Sequence, residues 1–128
     1  MEILPFTAEH LEGIIELARR EEWTTLTADP QATLRAFSAP GVVSLLAVEE
    51  GQVVGFAQTL TDGGIQAYLC RLLVAEPFRG GGIGKLLVEA ALKSSGAERM
   101  DLLAAKGTEN FYASFPHSGP WPGYRIAF

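Results

Sequence analysis

The chain contains a single cysteine, Cys70, and it has no excess of basic residues. One thiol excludes an internal disulfide, and it excludes a metal site built from several cysteines. Ten Lys and Arg residues stand against fifteen Asp and Glu, so the formal net charge is -5. Because a basic face is the usual footprint of a protein that binds nucleic acid, this charge argues against nucleic acid as a partner.

Long apolar runs are also absent. None approaches the roughly 20 residues of a membrane-spanning helix, and the N-terminus lacks the basic stretch and apolar run of a signal peptide. We therefore expect a cytoplasmic protein without membrane attachment. No repeat or biased segment divides the 128 residues. Since this length is typical of one domain, the sequence predicts a single domain over residues 1–128.

The hydrophobic pattern predicts elements in the order β-α-α-β-β-β-α-β-α-β. Alternating or continuous apolar runs indicate strands, and apolar residues that recur every three or four positions indicate helices. Three consecutive strands followed by a strand-helix-strand unit predict an α/β (α+β) domain with helices on both faces of the sheet. That sheet is expected to be mixed, mostly antiparallel, and to have about six strands. Strands are predicted over 3–6, 42–48, 53–60, 65–74, 101–105 and 124–128, and helices after caps at Thr7 and Asp29, from Gly82 to Gly96 and over 108–115.

A glycine-rich turn joins the predicted strand 65–74 to the helix that follows it. Glycines have no Cβ to keep a ligand away from the backbone, and the first N–H groups of a helix have no acceptors within that helix. Free amides and the positive end of the helix dipole together form an anion site. The residues concerned are Gly80, Gly81, Gly82 and Gly84, with Arg79 and Lys85 beside them.

The spacing of these residues excludes two common phosphate-binding loops. A Walker A loop requires Gly five residues before the Gly-Lys pair and Ser or Thr after it, but Arg79 and Leu86 occupy those positions. A dinucleotide-binding Gly-x-Gly-x-x-Gly loop requires Gly or Ala where Lys85 or Leu87 stands. A glycine-rich turn that binds no ligand remains an alternative.

The pattern that does fit is Arg-x-x-Gly-x-Gly, formed by Arg79, Gly82 and Gly84 between a strand and a helix. It resembles the pyrophosphate-binding signature of the GNAT superfamily of acyl-CoA-dependent N-acyltransferases. The predicted order of elements agrees with that fold. The resemblance implies that acetyl-CoA is the cofactor and that an acetyl group passes directly to a primary amine in a ternary complex. The acceptor would be a small molecule or a peptide. A non-catalytic acyl-CoA-binding module is the alternative.

The resemblance also implies which residues contact the cofactor. In GNAT proteins the strand before the signature splays from the strand after the helix, the pantetheine arm bonds to strand backbone in the opening, and the pyrophosphate lies on the loop amides. Acyl transfer from a thioester requires no metal, and none is expected. The implied contacts are Leu72, Leu73 and Val74 on the strand, and Arg79, Gly80, Gly81, Gly82, Ile83, Gly84 and Lys85 in the loop and first helical turn.

Tyr112 is the candidate general acid. Phe111-Tyr112 opens a predicted short helix where many GNAT enzymes carry a Phe-Tyr or Leu-Tyr pair, so the resemblance implies that Tyr112 protonates the departing thiolate. A phenol, with an ordinary pKa of about 10, suits that step. The alternative is that both rings only anchor an amphipathic helix.

No general base is identified. The strand 65–74 has no carboxylate, and the candidates Glu21, Glu22, Asp62 and His117 are better explained as solvated surface groups. Water relaying the proton is a further alternative. Cys70 as a covalent nucleophile is disfavoured, because no His lies near it in sequence and a lone Cys in an apolar strand is usually inert.

The C-terminal segment departs from the GNAT pattern. Phe115-Pro116-His117 stands where a Gly-Phe pair usually opens the next strand, so we expect the closing hairpin to be reduced to the strand 124–128. An uncovered sheet edge beside apolar residues favours pairing with another chain. We therefore expect a symmetric homodimer with this tail at the interface, and the alternative is that the same residues fold back to fill the core of the monomer. The apolar residues of the tail are Trp121, Tyr124, Ile126 and Phe128.

Overall fold

The computed structural model describes every residue from Met1 to Phe128. It contains five strands and five α-helices, with short 3-10 turns at Ala8–His10 and Glu76–Phe78. The strands are β1 (Glu2–Pro5), β2 (Val42–Glu49), β3 (Gln52–Thr61), β4 (Gln66–Val74) and β5 (Arg99–Leu102). The helices are α1 (Leu11–Arg20), α2 (Thr24–Ala28), α3 (Pro30–Ser38), α4 (Ile83–Ser95) and α5 (Glu109–Ala113).

The five strands form one sheet in the order β1-β2-β3-β4-β5. Neighbouring strands are antiparallel except β4 and β5, which are parallel and joined by α4. The predicted α/β fold with a mixed, mostly antiparallel sheet is therefore confirmed. No helix combines the length and apolar character needed to cross a membrane.

Helices pack on both faces of the sheet, as expected. On one face, Ile14 and Leu17 of α1 and Phe37 of α3 are buried against Phe56 of β3. On the other face α4 packs on the same strands through a second buried cluster, which includes Leu87. Because each face of the sheet is covered, the edges and ends of the strands are what remains for binding.

Two features of the predicted order are wrong. The strand expected over 124–128 is not formed, and the chain after β5 has α5 as its only helix or strand. A strand needs a partner with free backbone groups, but β5 is only four residues long. Prolines at 116, 120 and 122 lack the N–H that pairing requires.

The helix α2 was not predicted, because its Thr-Thr-Leu-Thr-Ala sequence has low helix propensity and only Leu26 is buried.

Candidate functional site

The sheet opens between β4 and β5. The two strands pair only as far as Leu69 and Leu102, whereas β4 continues to Val74. A β-bulge begins where the pairing ends, because Cys70 has no Cα partner on β3 between the pairs formed by its two neighbours. Bulges bend a strand and change the direction of its side chains. The second half of β4 therefore has a free edge on the side where β5 has ended.

Backbone groups of alternate β4 residues point into this opening. The N–H of Ala75 donates to the carbonyl of Val54 on β3 at 2.8 Å. Since alternate residues of an antiparallel ladder point to opposite edges, the groups of Leu73 also face β3. The groups of Leu72 and Val74 face the opening. All three residues were predicted to contact the cofactor. Leu72 and Val74 direct backbone groups into the opening, and Leu73 does not.

The loop after β4 has the conformation that its glycines permit. Gly80 and Gly82 have φ of +83° and +88°, in the left-handed region that side chains disfavour. A Cβ at either position would meet no atom within 4 Å, so the space above the loop is open. Gly82 is the N-cap of α4, and its carbonyl accepts the first helical hydrogen bond, from Leu86 at 3.1 Å.

The loop presents a row of free donors. None of the backbone N–H groups of residues 80–85 donates to another backbone group of the protein. They lie at the N-terminus of a 13-residue helix, where the dipole adds partial positive charge. Lys85 is exposed and forms no ion pair. This arrangement fits an anion such as pyrophosphate, because six amides have no backbone acceptor in the protein and one unpaired ammonium group lies beside them.

Gly84 allows close packing between α4 and α5. A Cβ there would lie 3.3 Å from the Phe111 ring and 3.7 Å from the Val74 side chain. The glycine therefore lets α5 approach the first turn of α4. This contact brings the Phe111-Tyr112 pair beside the glycine loop, although more than twenty residues separate them in sequence.

Arg79 is held by the protein itself. Its Nε donates to the carbonyl of Val74 at 2.9 Å, and its Nη2 pairs with a carboxylate oxygen of Glu21 at the end of α1. The other oxygen of Glu21 accepts from the N–H of Glu76 at 3.3 Å. We call this set of contacts the Glu21–Arg79 clamp. It neutralises the Arg79 charge, which the sequence alone places beside the anion site, and it ties the loop to the end of α1.

Tyr112 lies half-buried against the core under α4. Its ring packs on Phe111 in a T-shaped pair with centroids 4.9 Å apart. Burial raises the pKa of Tyr112 above its ordinary value of 10.0. The phenol therefore remains protonated at neutral pH, as a proton donor must.

Two candidate bases have structural roles. The carboxylate of Asp62 accepts hydrogen bonds from the N–H groups of Ile65, Gly64 and Gln66, which lower its pKa and shape the β3–β4 turn. That turn lies at the opposite end of β4 from the glycine loop. Glu21 belongs to the clamp.

The two remaining candidates, Glu22 and His117, are exposed. Burial raises the pKa of the Cys70 thiol, which disfavours the thiolate that a nucleophile requires. Sequence reasoning missed the role of Glu21 as a partner of Arg79, because no local signal links positions on different elements. No general base emerges from this set.

Comparison with known proteins supports the same fold. The profile of the Acetyltransferase (GNAT) family matches residues 8–115. No curated protein matches the sequence. Among solved structures, ribosomal-protein-alanine N-acetyltransferase from Brucella melitensis biovar Abortus 2308 superposes with a TM-score of 0.80 at 18% identity, covering 99% of this chain and 98% of that one.

Two aminoglycoside acetyltransferases have the same architecture. One, from an uncultured soil metagenomic sample and in complex with sisomicin, gives a TM-score of 0.77 at 19% identity over 99% of this chain and 94% of that chain. The other, in complex with CoA, gives 0.71 at 20% identity over 99% and 100%. At these identities the likeness concerns the fold alone. Because the family profile covers most of the chain, and the signature, strand opening and helix cap agree with it, this protein belongs to the acetyltransferase (GNAT) family.

Proposed function

We propose that this protein transfers an acetyl group from acetyl-CoA to a primary amine by direct transfer in a ternary complex. The observation that supports this most is the row of free amides over residues 80–85, which lies beside the opening of the sheet. Acetyl-CoA, when bound, supplies a thioester whose carbonyl a neutral amine can attack. The acceptor is a small molecule or a peptide, and nucleic acid is not proposed as a partner.

The cofactor residues follow from which groups are free. The amides of Gly80, Gly81, Gly82, Ile83, Gly84 and Lys85 would hold the pyrophosphate, and the Lys85 ammonium would balance its charge. The backbone of Leu72 and the N–H of Val74 would bond the pantetheine arm, since the carbonyl of Val74 already accepts from Arg79. Arg79 would keep the loop in place rather than bind phosphate directly, since its guanidinium is already paired.

Tyr112 is proposed as the general acid. Its phenol retains a proton at neutral pH and would donate it to the departing sulfur. The packing of Phe111 under Gly84 positions the tyrosine next to the loop. Removal of the proton from the amine is left to water, because no protein base has been identified. Location in the cytoplasm stays a prediction.

The test is a thiol-release assay with acetyl-CoA across cationic, neutral and anionic amines and short peptides. We expect release that depends on both the amine and the protein. A protein that binds CoA but releases no thiol with any amine would instead be a non-catalytic acyl-CoA-binding module. The absence of a carboxylate from β4 and the lack of a strand after α5 favour that second candidate.

A further inference from the structure

Arg71 differs from the other arginines of the chain. It is half-buried on β4, whereas every other arginine is exposed. Its Nη1 donates to Oε1 of Gln58 at 2.5 Å, and it forms no ion pair. Neither β3 nor β4 contains an Asp or Glu. A positive charge partly removed from water therefore lies on the sheet without a counter-charge from the protein.

The guanidinium is held in one direction by a buried residue. Gln58 is 3% exposed, and its Nε2 donates to the carbonyl of Ala36 on α3 at 3.3 Å. Arg71 thus lies on the face of the sheet covered by α1 and α3, opposite α4. A guanidinium has five N–H donors, of which this contact uses one. The remaining donors are available to a ligand.

The position of Arg71 places it at the reacting end of the proposed site. The pyrophosphate loop follows Val74, so a cofactor arm bonded to Leu72 runs back along β4 toward the bulge at Cys70. Arg71 lies between the last of these contacts and the bulge. An amine that attacks the thioester must therefore come close to its side chain.

We propose that Arg71 binds a carboxylate of the amine acceptor, so that the substrates are amino acids or peptides with a free carboxylate near the amine. This inference rests on the proposed acetyltransferase function. The planar guanidinium matches a carboxylate with two parallel hydrogen bonds, which a neutral amide cannot reproduce. Binding also supplies the counter-charge that the protein does not, and a partly buried charge without a partner is unfavourable.

The experiment uses straight-chain amino acids from glycine to aminohexanoate and the amide of each, so that the members of a pair differ in the carboxylate. Thiol release from acetyl-CoA gives kcat/KM for both members. The carboxylate-to-amide ratio is then compared between the wild-type protein and its variants. This comparison cancels the difference in intrinsic amine reactivity within a pair.

We expect the carboxylate to be the better acceptor for at least one chain length. Arg71→Gln should lower that ratio by about ten- to a hundredfold, the range for hydrogen bonds to charged groups. Arg71→Lys keeps the charge without the planar fork and should retain part of the preference. Arg35→Gln, which removes an exposed positive charge from α3, should leave the ratio unchanged.

An unchanged ratio in Arg71→Gln overturns the proposal, as does a wild-type protein that prefers the amide at every length. If the melting curve shows that Arg71→Gln does not fold, an undiminished ratio in Arg71→Lys overturns it instead. Thiol release with cationic or neutral amines alone would remove the role of Arg71 and leave the acetyltransferase function standing. Release with no amine would remove both.

Discussion

At the scale of single residues, the Glu21–Arg79 clamp makes it possible to distinguish two roles of Arg79: direct binding of the anion and positioning of the loop. If Arg79 binds pyrophosphate directly, its pairing with Glu21 competes with the ligand. If Arg79 positions the loop, the same pairing supports binding. The two roles predict opposite effects of removing the Glu21 charge, because a carboxylate near an anion site otherwise repels the ligand.

We expect Glu21→Gln to weaken CoA binding by about fivefold, the equivalent of about 1 kcal/mol for a partly exposed pair. Arg79→Gln should weaken binding by a similar factor, and the double variant should be no worse than either, since both disrupt one contact. Isothermal titration calorimetry measures the three dissociation constants. Glu16→Gln, on the same helix and paired with Arg19, is the control. Tighter binding by Glu21→Gln would assign Arg79 to the ligand.

The second prediction at this scale concerns Tyr112. Tyr112→Phe should lower kcat by about 10²-fold or more with little change in CoA affinity, as expected when a general acid is lost. Because burial raises the pKa of Tyr112, the phenol stays protonated near neutral pH, and any loss of rate from its ionisation should begin at a higher pH than for an ordinary phenol. Tyr124→Phe, in the exposed tail, is the matched control. Full activity of Tyr112→Phe would limit Tyr112 to packing.

At the scale of elements, the junction of β4 and α4 joins a strand that extends beyond its neighbour β5 to a helix whose first N–H groups have no backbone acceptor. The left-handed Gly82 joins the two. Its φ of +88° is one that side chains disfavour, and a Cβ there would project into the open space above the loop, where a ligand could lie. The binding that we propose for this junction therefore requires the left-handed backbone of Gly82.

CoA should stabilise the protein through this junction. At one hundred times its dissociation constant, a ligand adds about 2.7 kcal/mol to the free energy of unfolding, which is measurable as a melting shift. Gly82→Val should abolish the shift while the protein remains folded. Gly51→Val is the control, because Gly51 has a similar φ of +79° in the β2–β3 turn and nothing within 4 Å. A shift preserved in Gly82→Val would place the cofactor elsewhere.

At the scale of the whole molecule, the C-terminal tail leaves a large apolar surface uncovered. Trp121, Tyr124 and Ile126 are more than two-thirds exposed, and Phe128 is fully exposed. The outer edge of β5 has no neighbouring strand. Apolar side chains of this number are seldom left in water together without a partner, and a free strand edge is a ready surface for pairing.

We predict that two copies associate through this tail in a symmetric dimer. Light scattering at micromolar concentration should give the mass of a dimer for the intact chain and of a monomer for a chain that ends at Pro120. The shortened chain should keep its CoA-dependent melting shift, since the glycine loop lies outside the tail. An intact chain that is strictly monomeric would rule out the dimer.

Much of the fold and the conformation of the glycine loop were predictable from the sequence, because the information is local. Apolar periodicity marks the strands and the longer helices. The Arg-x-x-Gly-x-Gly spacing marks a bare helix start, and Gly96 marks the end of α4, where it adopts φ of +71°. These features depend on torsions and hydrogen bonds among residues only a few positions apart.

The tertiary structure alone decided which groups meet. Glu21 and Arg79 are 58 positions apart, and Gln58 and Arg71 belong to different strands. No local preference encodes such pairs, because each of these polar side chains is well solvated in the unfolded chain. Only packing brings its partner to it. The tail shows the converse: its residues favour a strand, but a strand exists only where a partner offers backbone groups. The sequence therefore determined the loop and its chemistry, and packing determined the partners of its charges.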